Sequence, residues 1–173
     1  MSQLTDLIAQ CDAESREANA RSDRAALLKA LEDYRRSVGR LNDCSDDIKK
    51  ELGAWVRGVG RVSIDLLLIS AAIHADLRFI DELCELLAMK SPEVPDEMIA
   101  DILYKIPSPK AVPWLAEALF RKHDYDVYDE CNVKCLEALY AIRTPDALDA
   151  VESAITSSSE RVRERARELC AKW

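Results

Sequence analysis

Glycine is scarce in this chain of 173 residues, with four in all, and so are histidine, with two, and aromatic side chains, at 6%. None of the glycines sits in a phosphate-cradling motif, which argues against a nucleotide-binding loop. His74 and His123 lie far apart, and neither belongs to a recognisable nucleophile motif. No apolar run approaches the ~20 residues that span a bilayer; the longest, Val62 to Ile73, is interrupted by Asp65. The opening Met1-Ser2-Gln3-Leu4-Thr5-Asp6 has neither the basic segment nor the apolar core of a secretory signal, so a cytoplasmic protein away from membranes is expected. Strand signals are nearly absent. With 49% hydrophobic residues and abundant Ala, Leu, Glu, Asp and Arg, the composition predicts an ordered, all-α chain.

Cysteine is present but unorganised. Cys11, Cys44, Cys84, Cys131, Cys135 and Cys170 include no CxxC pair and no nearby histidine at zinc-finger spacing, so neither a metal nor another cofactor is expected. All but Cys44 fall at apolar helix positions and read as small core side chains in a reducing compartment. The net charge of −8 disfavours nucleic acid, whose binding depends on cations that neutralise phosphates, and favours a basic protein partner.

Apolar spacing of three and four predicts helices along the whole chain. The first runs over about Gln3 to Ala20. A second starts at Asp23, which can accept first-turn N–H groups, and a third opens at Ser45 with Asp46 and Asp47 complementing its dipole. Arg61 to His74 is apolar on most of its circumference and must be covered on several sides; His74 reads as a helix-terminal residue rather than a ligand. A helix over Leu77 to Met89 is followed by one over Val94 to Ile106, which Pro107 closes.

Repetition organises the last third. Ser108-Pro109-Lys110-Ala111-Val112 returns as Thr144-Pro145-Asp146-Ala147-Leu148, 36 positions later, each with a hydroxyl cap before a proline at the first helical position. Ile80, Leu83, Leu86 and Leu87 align with Val112, Leu115, Ala118 and Leu119 as a third copy. Second helices over Val127 to Arg143 and Glu160 to Trp173 complete the pairs, the latter capped by Ser159. A repeat of this length signals a solenoid.

The pattern Ala111-Val112-Pro113-x-Leu115-x-x-Ala118-Leu119, with Val162-Arg163-x-x-Ala166-x-x-Leu169 in a second helix, resembles HEAT repeats, most closely the bacterial variety of phycobilisome lyase subunits. Cys131-Asn132 and Val94-Pro95 depart from the Val-Arg start. The resemblance implies a right-handed α-solenoid of about five antiparallel hairpins spanning residues 1–173 as one domain, with divergent helices over 1–76 and three repeats over 77–173. It also implies that the second helices line a concave protein-binding face; it does not imply an enzyme, and none is expected, although similar repeats occur in chromophore lyases and alkylpurine glycosylases.

Stepping about 100° per residue from Cys131 places Cys135, Ala138, Leu139 and Ile142 on one side of that helix and Val133, Leu136 and Tyr140 on another. Glu130, Lys134, Glu137 and Ala141 are left as a polar or small stripe. Aligned positions are Glu93, Glu97, Ala100 and Tyr104 before it and Arg161, Arg165, Glu168 and Lys172 after it, so the expected groove is acidic in the middle and mixed to basic at its far end. The last helix carries a single apolar stripe, Val162, Ala166, Leu169, Cys170 and Trp173, as a terminal cap requires, so the solenoid is expected to end there. Its Arg161, Arg163, Arg165 and Arg167 alternate with Glu160, Glu164 and Glu168, which reads as ion pairing rather than a nucleic-acid patch.

The segment before Cys131 is enlarged and holds Asp124, Tyr125, Asp126, Tyr128, Asp129 and Glu130. It suits contact with a cationic partner, or alternatively supplies acids that complement a helix N-terminus. It is no calcium loop, since the turn glycine is missing and the twelfth position from Asp124 is Cys135. The expected function is a non-enzymatic protein-binding module, in its most concrete form an immunity or antitoxin protein that occludes a basic toxin. A lyase-like or glycosylase-like enzyme subunit, marked by a buried and pKa-shifted carboxylate in a cleft, and a structural adaptor are the alternatives.

Overall fold

Hydroxyl and carboxylate caps set most of the helix starts. Ser2, Asp23, Ser63, Thr144 and Ser159 each accept a backbone N–H from the first turn of the helix that follows, at 3.0–3.5 Å. The computed structural model describes residues 2–41, 44–123 and 126–173. Among these residues there are ten α-helices, three short 3-10 turns and no strand. Contacts divide the chain into two units, Met1–Glu82 and Leu83–Trp173.

In the first unit, α1 (Gln3–Ala20) pairs with α2 (Arg24–Val38), and α3 (Ser45–Val56) with α4 (Ile64–His74). Helix α2 packs on α4, which buries Ile64, Leu66, Leu67, Leu68, Ser70 and Ala71, as its apolar circumference requires. The buried hydroxyls of Tyr34 and Ser70 are paired in this core. Tyr34 lies 2.6 Å from the Ser70 hydroxyl and donates to the Leu66 carbonyl at 3.0 Å. His74, at the end of α4, places Nε2 3.1 Å from Cys44 Sγ and 3.3 Å from the Val38 carbonyl, tying the end of α2 to the start of α3. Helix α3 opens at Ser45 as expected, with Ser45 buried as its first residue and Cys44 in the cap position.

Helix α5 (Ile80–Ala88) follows a 3-10 turn over Leu77–Phe79. Asp76 caps that turn, accepting from the Arg78 backbone at 2.9 Å and from its guanidinium at 2.7 and 2.9 Å. The Arg78 side chain, then its backbone N–H, hold the Asp76 carboxyl well below the usual carboxylate range.

The second unit is layered. Helices α7 (Val112–Ala118) and α9 (Pro145–Ser153) pack on each other in one layer. In the other, α6 (Asp96–Lys105), α8 (Glu130–Ile142) and α10 (Glu160–Cys170) lie side by side. Pairs α7/α8 and α9/α10 form the hairpins. Helix α8 touches α6, α7, α9 and α10 and buries Cys131, Val133, Cys135, Leu136, Ala138, Leu139 and Ile142, the covering on both sides that its pattern implied. By contrast α10 buries only Val162, Ala166 and Leu169.

Three helix starts in the second unit differ from those the sequence predicts. Ser108 makes no capping bond, because Pro109–Ala111 form a 3-10 turn before α7 begins at Val112. The second helices begin at Asp96 and Glu130 rather than Val94 and Val127: extended Pro95 precedes one, and left-handed Asp129 (φ 54°) the other. None of the six cysteines is in a disulfide; five are buried and Cys170 is partly so.

Leu136→Ala, which empties a fully buried position in the most enclosed helix, is expected to cost about 3 kcal/mol in urea unfolding. Asp76→Asn, which keeps a capping oxygen but removes the charge that Arg78 meets, should cost about 0.5–1 kcal/mol at neutral pH. An acid with a depressed folded pKa adds stability above its unfolded value and loses it as the pH falls. The gap between Asp76→Asn and the parent should therefore close below about pH 4, as read from melting temperatures across an acid series.

Candidate partner-binding surface

One strip of α8 stays open. Glu130, Lys134, Glu137 and Ala141 recur along it and are only partly buried. Lys134 Nζ donates to Glu97 and to Asp101 of α6, both at 2.7 Å. Burial works against the Lys134 charge, yet the Asp101 and Glu97 carboxylates overcome it and hold the ammonium above its ordinary range. On the other side, Arg165 of α10 donates to Glu137 at 2.6 Å and to Glu168 at 2.8 Å. Arg161 pairs with Glu130 and donates to the Tyr128 carbonyl at 3.0 Å.

These bonds create a ladder of alternating charge across α6, α8 and α10, and they modify the expected acidic groove. Glu97, Asp101, Glu130, Glu137 and Glu168 all face a base from a neighbouring or the same helix. Ala100, placed on the open stripe by alignment, is fully buried, and Asp101 stands at the surface in its stead. Glu93 lies before α6 in an exposed turn, its N–H donating to Ser91 Oγ. A groove of about 340 Å³ runs along the ladder between Tyr104, Asp101, Lys134, Glu137, Tyr140 and Arg165. Tyr104 is 52% exposed at its side. At the far end Arg143 stacks 3.8 Å from the Tyr140 ring centre, and Trp173 meets that ring edge-on at 5.5 Å.

The enlarged loop divides its work. Asp124 and Tyr125 lie outside the described residues. Asp126 accepts the N–H groups of Glu130 and Cys131, each at 2.8 Å, and so caps α8 from four residues upstream. Asp129 accepts from the Ser159 hydroxyl at 2.6 Å. Both carboxylates thus serve the fold, the structural alternative that the sequence left open. Val127 and Tyr128, 79% and 75% exposed, project from the turn between them.

A second concavity, of about 610 Å³, lies at the start of α6 and is lined by Lys90, Glu117, Phe120, Asp96, Arg121 and His123 among others. Asp96, the first residue of α6, is buried, ion-paired with Arg121, and 3.4 Å from His123 Nε2. Burial pushes its carboxyl above the ordinary value although Arg121 and His123 pull the other way. The Asp96 carboxylate, a His123 ring nitrogen and Cys131 Sγ all lie within 4.8 Å of one another, a group able to hold a metal ion. Cys135, one turn further along α8, has its thiol pushed well up by its hydrogen bond with Cys131 and by burial. Sequence spacing could not reveal this cluster, because its members come from three separate segments. The one hint was a histidine at the mouth of the enlarged loop.

Residues 80–171, over half of the chain, match a family model described as HEAT repeats. No curated protein and no solved structure matches the chain.

Asp126→Ala removes the acceptor for two first-turn N–H groups of α8. It should lower stability by about 1–2 kcal/mol, measured by urea unfolding.

Proposed function

Since the chain belongs to the HEAT-repeat family, we propose that it is a protein-binding module whose partner docks on the open face of α6, α8 and α10. The observation that carries this reading is the charge ladder with Tyr104 beside it. Ion-paired side chains are already oriented, so a partner finds a fixed pattern of polar groups and does not have to order them. Tyr104, Val127 and Tyr128 add exposed apolar area of the kind that anchors interfaces.

The ladder sets five acids against three bases and so keeps a modest negative charge; most of the attraction for a basic partner comes from the charge around it. The net charge is −8, and the unit Leu83–Trp173, with seventeen acids against twelve bases, carries −5 of it. Asp146, Asp149 and Glu152 stand exposed along α9. Such a field steers a cationic protein from a distance, while the groove supplies contact. In its concrete form the chain is an immunity or antitoxin protein of the cytoplasm that masks a basic toxin. The buried Asp96 carboxylate in its cavity is the specific observation that favours an enzyme subunit as a second reading. Acting on DNA there would require phosphates to approach a unit of net negative charge.

The test is capture of partners from the protein's own cells with the parent chain and with Tyr104→Ala. The parent should retain a protein with a basic surface, in a salt-sensitive manner, and Tyr104→Ala should weaken the purified complex by about thirtyfold, the equivalent of a 2 kcal/mol anchor. Expressed alone, that partner should arrest growth, and co-expression of this chain should restore it. Equal binding by Tyr104→Ala would remove the groove from the interface. A harmless or acidic partner would overturn the immunity reading.

A further inference from the structure

We propose that Asp96, His123 and Cys131 form a binding site for one zinc-class divalent metal ion, separate from the protein-binding face. A carboxylate oxygen, an imidazole nitrogen and a thiolate are the three donor types that zinc takes, and three protein ligands with an open fourth position is a common arrangement for it. Ligands held at about 2.1 Å from a tetrahedral centre stand roughly 3.5 Å apart. Asp96 and His123 already do so at 3.4 Å, and Cys131 Sγ completes a triangle with no side above 4.8 Å. Among the described residues this is the only group of three such donors so close together.

The three donors are held from behind. Asp96 is the first residue of α6, and Cys131 is the second residue of α8, fully buried. The chain leading to His123 is pinned to α8 by Asn132, the neighbour of Cys131, whose Nδ2 donates to the Leu119 carbonyl at 2.6 Å and the Arg121 carbonyl at 3.0 Å. Arg121 both pairs with Asp96 and donates to the Leu87 carbonyl at 3.1 Å, fixing the carboxylate from outside in the way that outer partners orient metal ligands. Arg121 binds Asp96 Oδ2, the same oxygen that lies 3.4 Å from His123 Nε2, but each carboxylate oxygen offers about two lone-pair positions, so the guanidinium does not close the site. Asp96 and His123 line the cavity of about 610 Å³, which leaves the fourth position open to water or a ligand. On binding, the metal–sulfur bond forms as the Cys131 thiol releases its proton to solvent.

The full chain, stripped of metal with a chelator and kept reduced, is titrated with cobalt(II) as the probe. We expect one cobalt per chain, with the near-ultraviolet sulfur-to-cobalt charge-transfer band and the visible bands of a four-coordinate centre. His123→Ala, a change at the edge of a loop, and Cys131→Ala should each weaken binding by at least about tenfold, with the charge-transfer band lost in Cys131→Ala. Cys44→Ala should leave band and affinity unchanged, since Cys44 and His74 form a separate sulfur–nitrogen pair. No charge-transfer band in the parent protein would overturn the proposal, as would a band that survives Cys131→Ala or one that Cys44→Ala removes. Circular dichroism of each variant without metal separates lost binding from lost fold, and the parent titration decides the matter even if Cys131→Ala does not fold.

Discussion

The enclosure of α8 is the constraint on which the second unit depends. Four helices pack on it, so seven apolar side chains from Cys131 to Ile142 must be buried in directions that leave a single open strip. A helix so covered has little freedom in its rotation. That rotation in turn determines which charged residues of α6 and α10 meet Glu130, Lys134 and Glu137 and which residue, Cys131, points inward toward Asp96 and His123. The site and the core are therefore one problem. Shifting α8 by one residue would turn each of these side chains by about 100° and lose both.

The charge ladder follows from repetition. When hairpins stack at nearly constant spacing, an acid in one second helix lies opposite the corresponding turn of the next, where a base can meet it. Lys134 reaches back to Glu97 and Asp101, and Arg165 reaches back to Glu137. Partly exposed pairs of this kind contribute at most about 1 kcal/mol each. Their larger effect is orientation, since they hold long side chains in one geometry on a face that would otherwise sample many.

The helices and most of their caps were legible in the sequence because they depend on near neighbours. Asp23, Thr144 and Ser159 cap the helices that follow them, and the covering of α8 could be counted from its apolar positions alone. Ser108 failed as a cap because the chain tightens into a 3-10 turn at Pro109, a choice between two hydrogen-bond patterns that a Ser-Pro pair does not decide. Neutralisation of the acidic stripe was hidden for a different reason: alignment gave the positions of the acids but not the reach of Lys134 and Arg165 across helices. Asp126 looked like a contact residue since nothing local reveals that its carboxylate turns back to the α8 N-terminus. The Asp96, His123 and Cys131 cluster is the extreme case, with three segments converging through tertiary packing alone.

The two sites meet at the first turn of α8. Glu130 stands on the open strip, and Cys131, about 100° around the helix, faces the cluster. Between His123 and Cys131 the chain carries Val127 and Tyr128, the most exposed large apolar residues of the second unit among those described. Asp126 and Asp129 already anchor the end nearer α8. A metal ion bound to both His123 and Cys131 would add a tie between two residues that flank Val127 and Tyr128, so that a partner would meet those two side chains in a more fixed setting. In that arrangement the ion acts on recognition without touching the partner. Its influence should then fall on contacts made by Val127 and Tyr128 and leave those made by Tyr104 alone, since Tyr104 belongs to α6, a helix whose position the core already fixes.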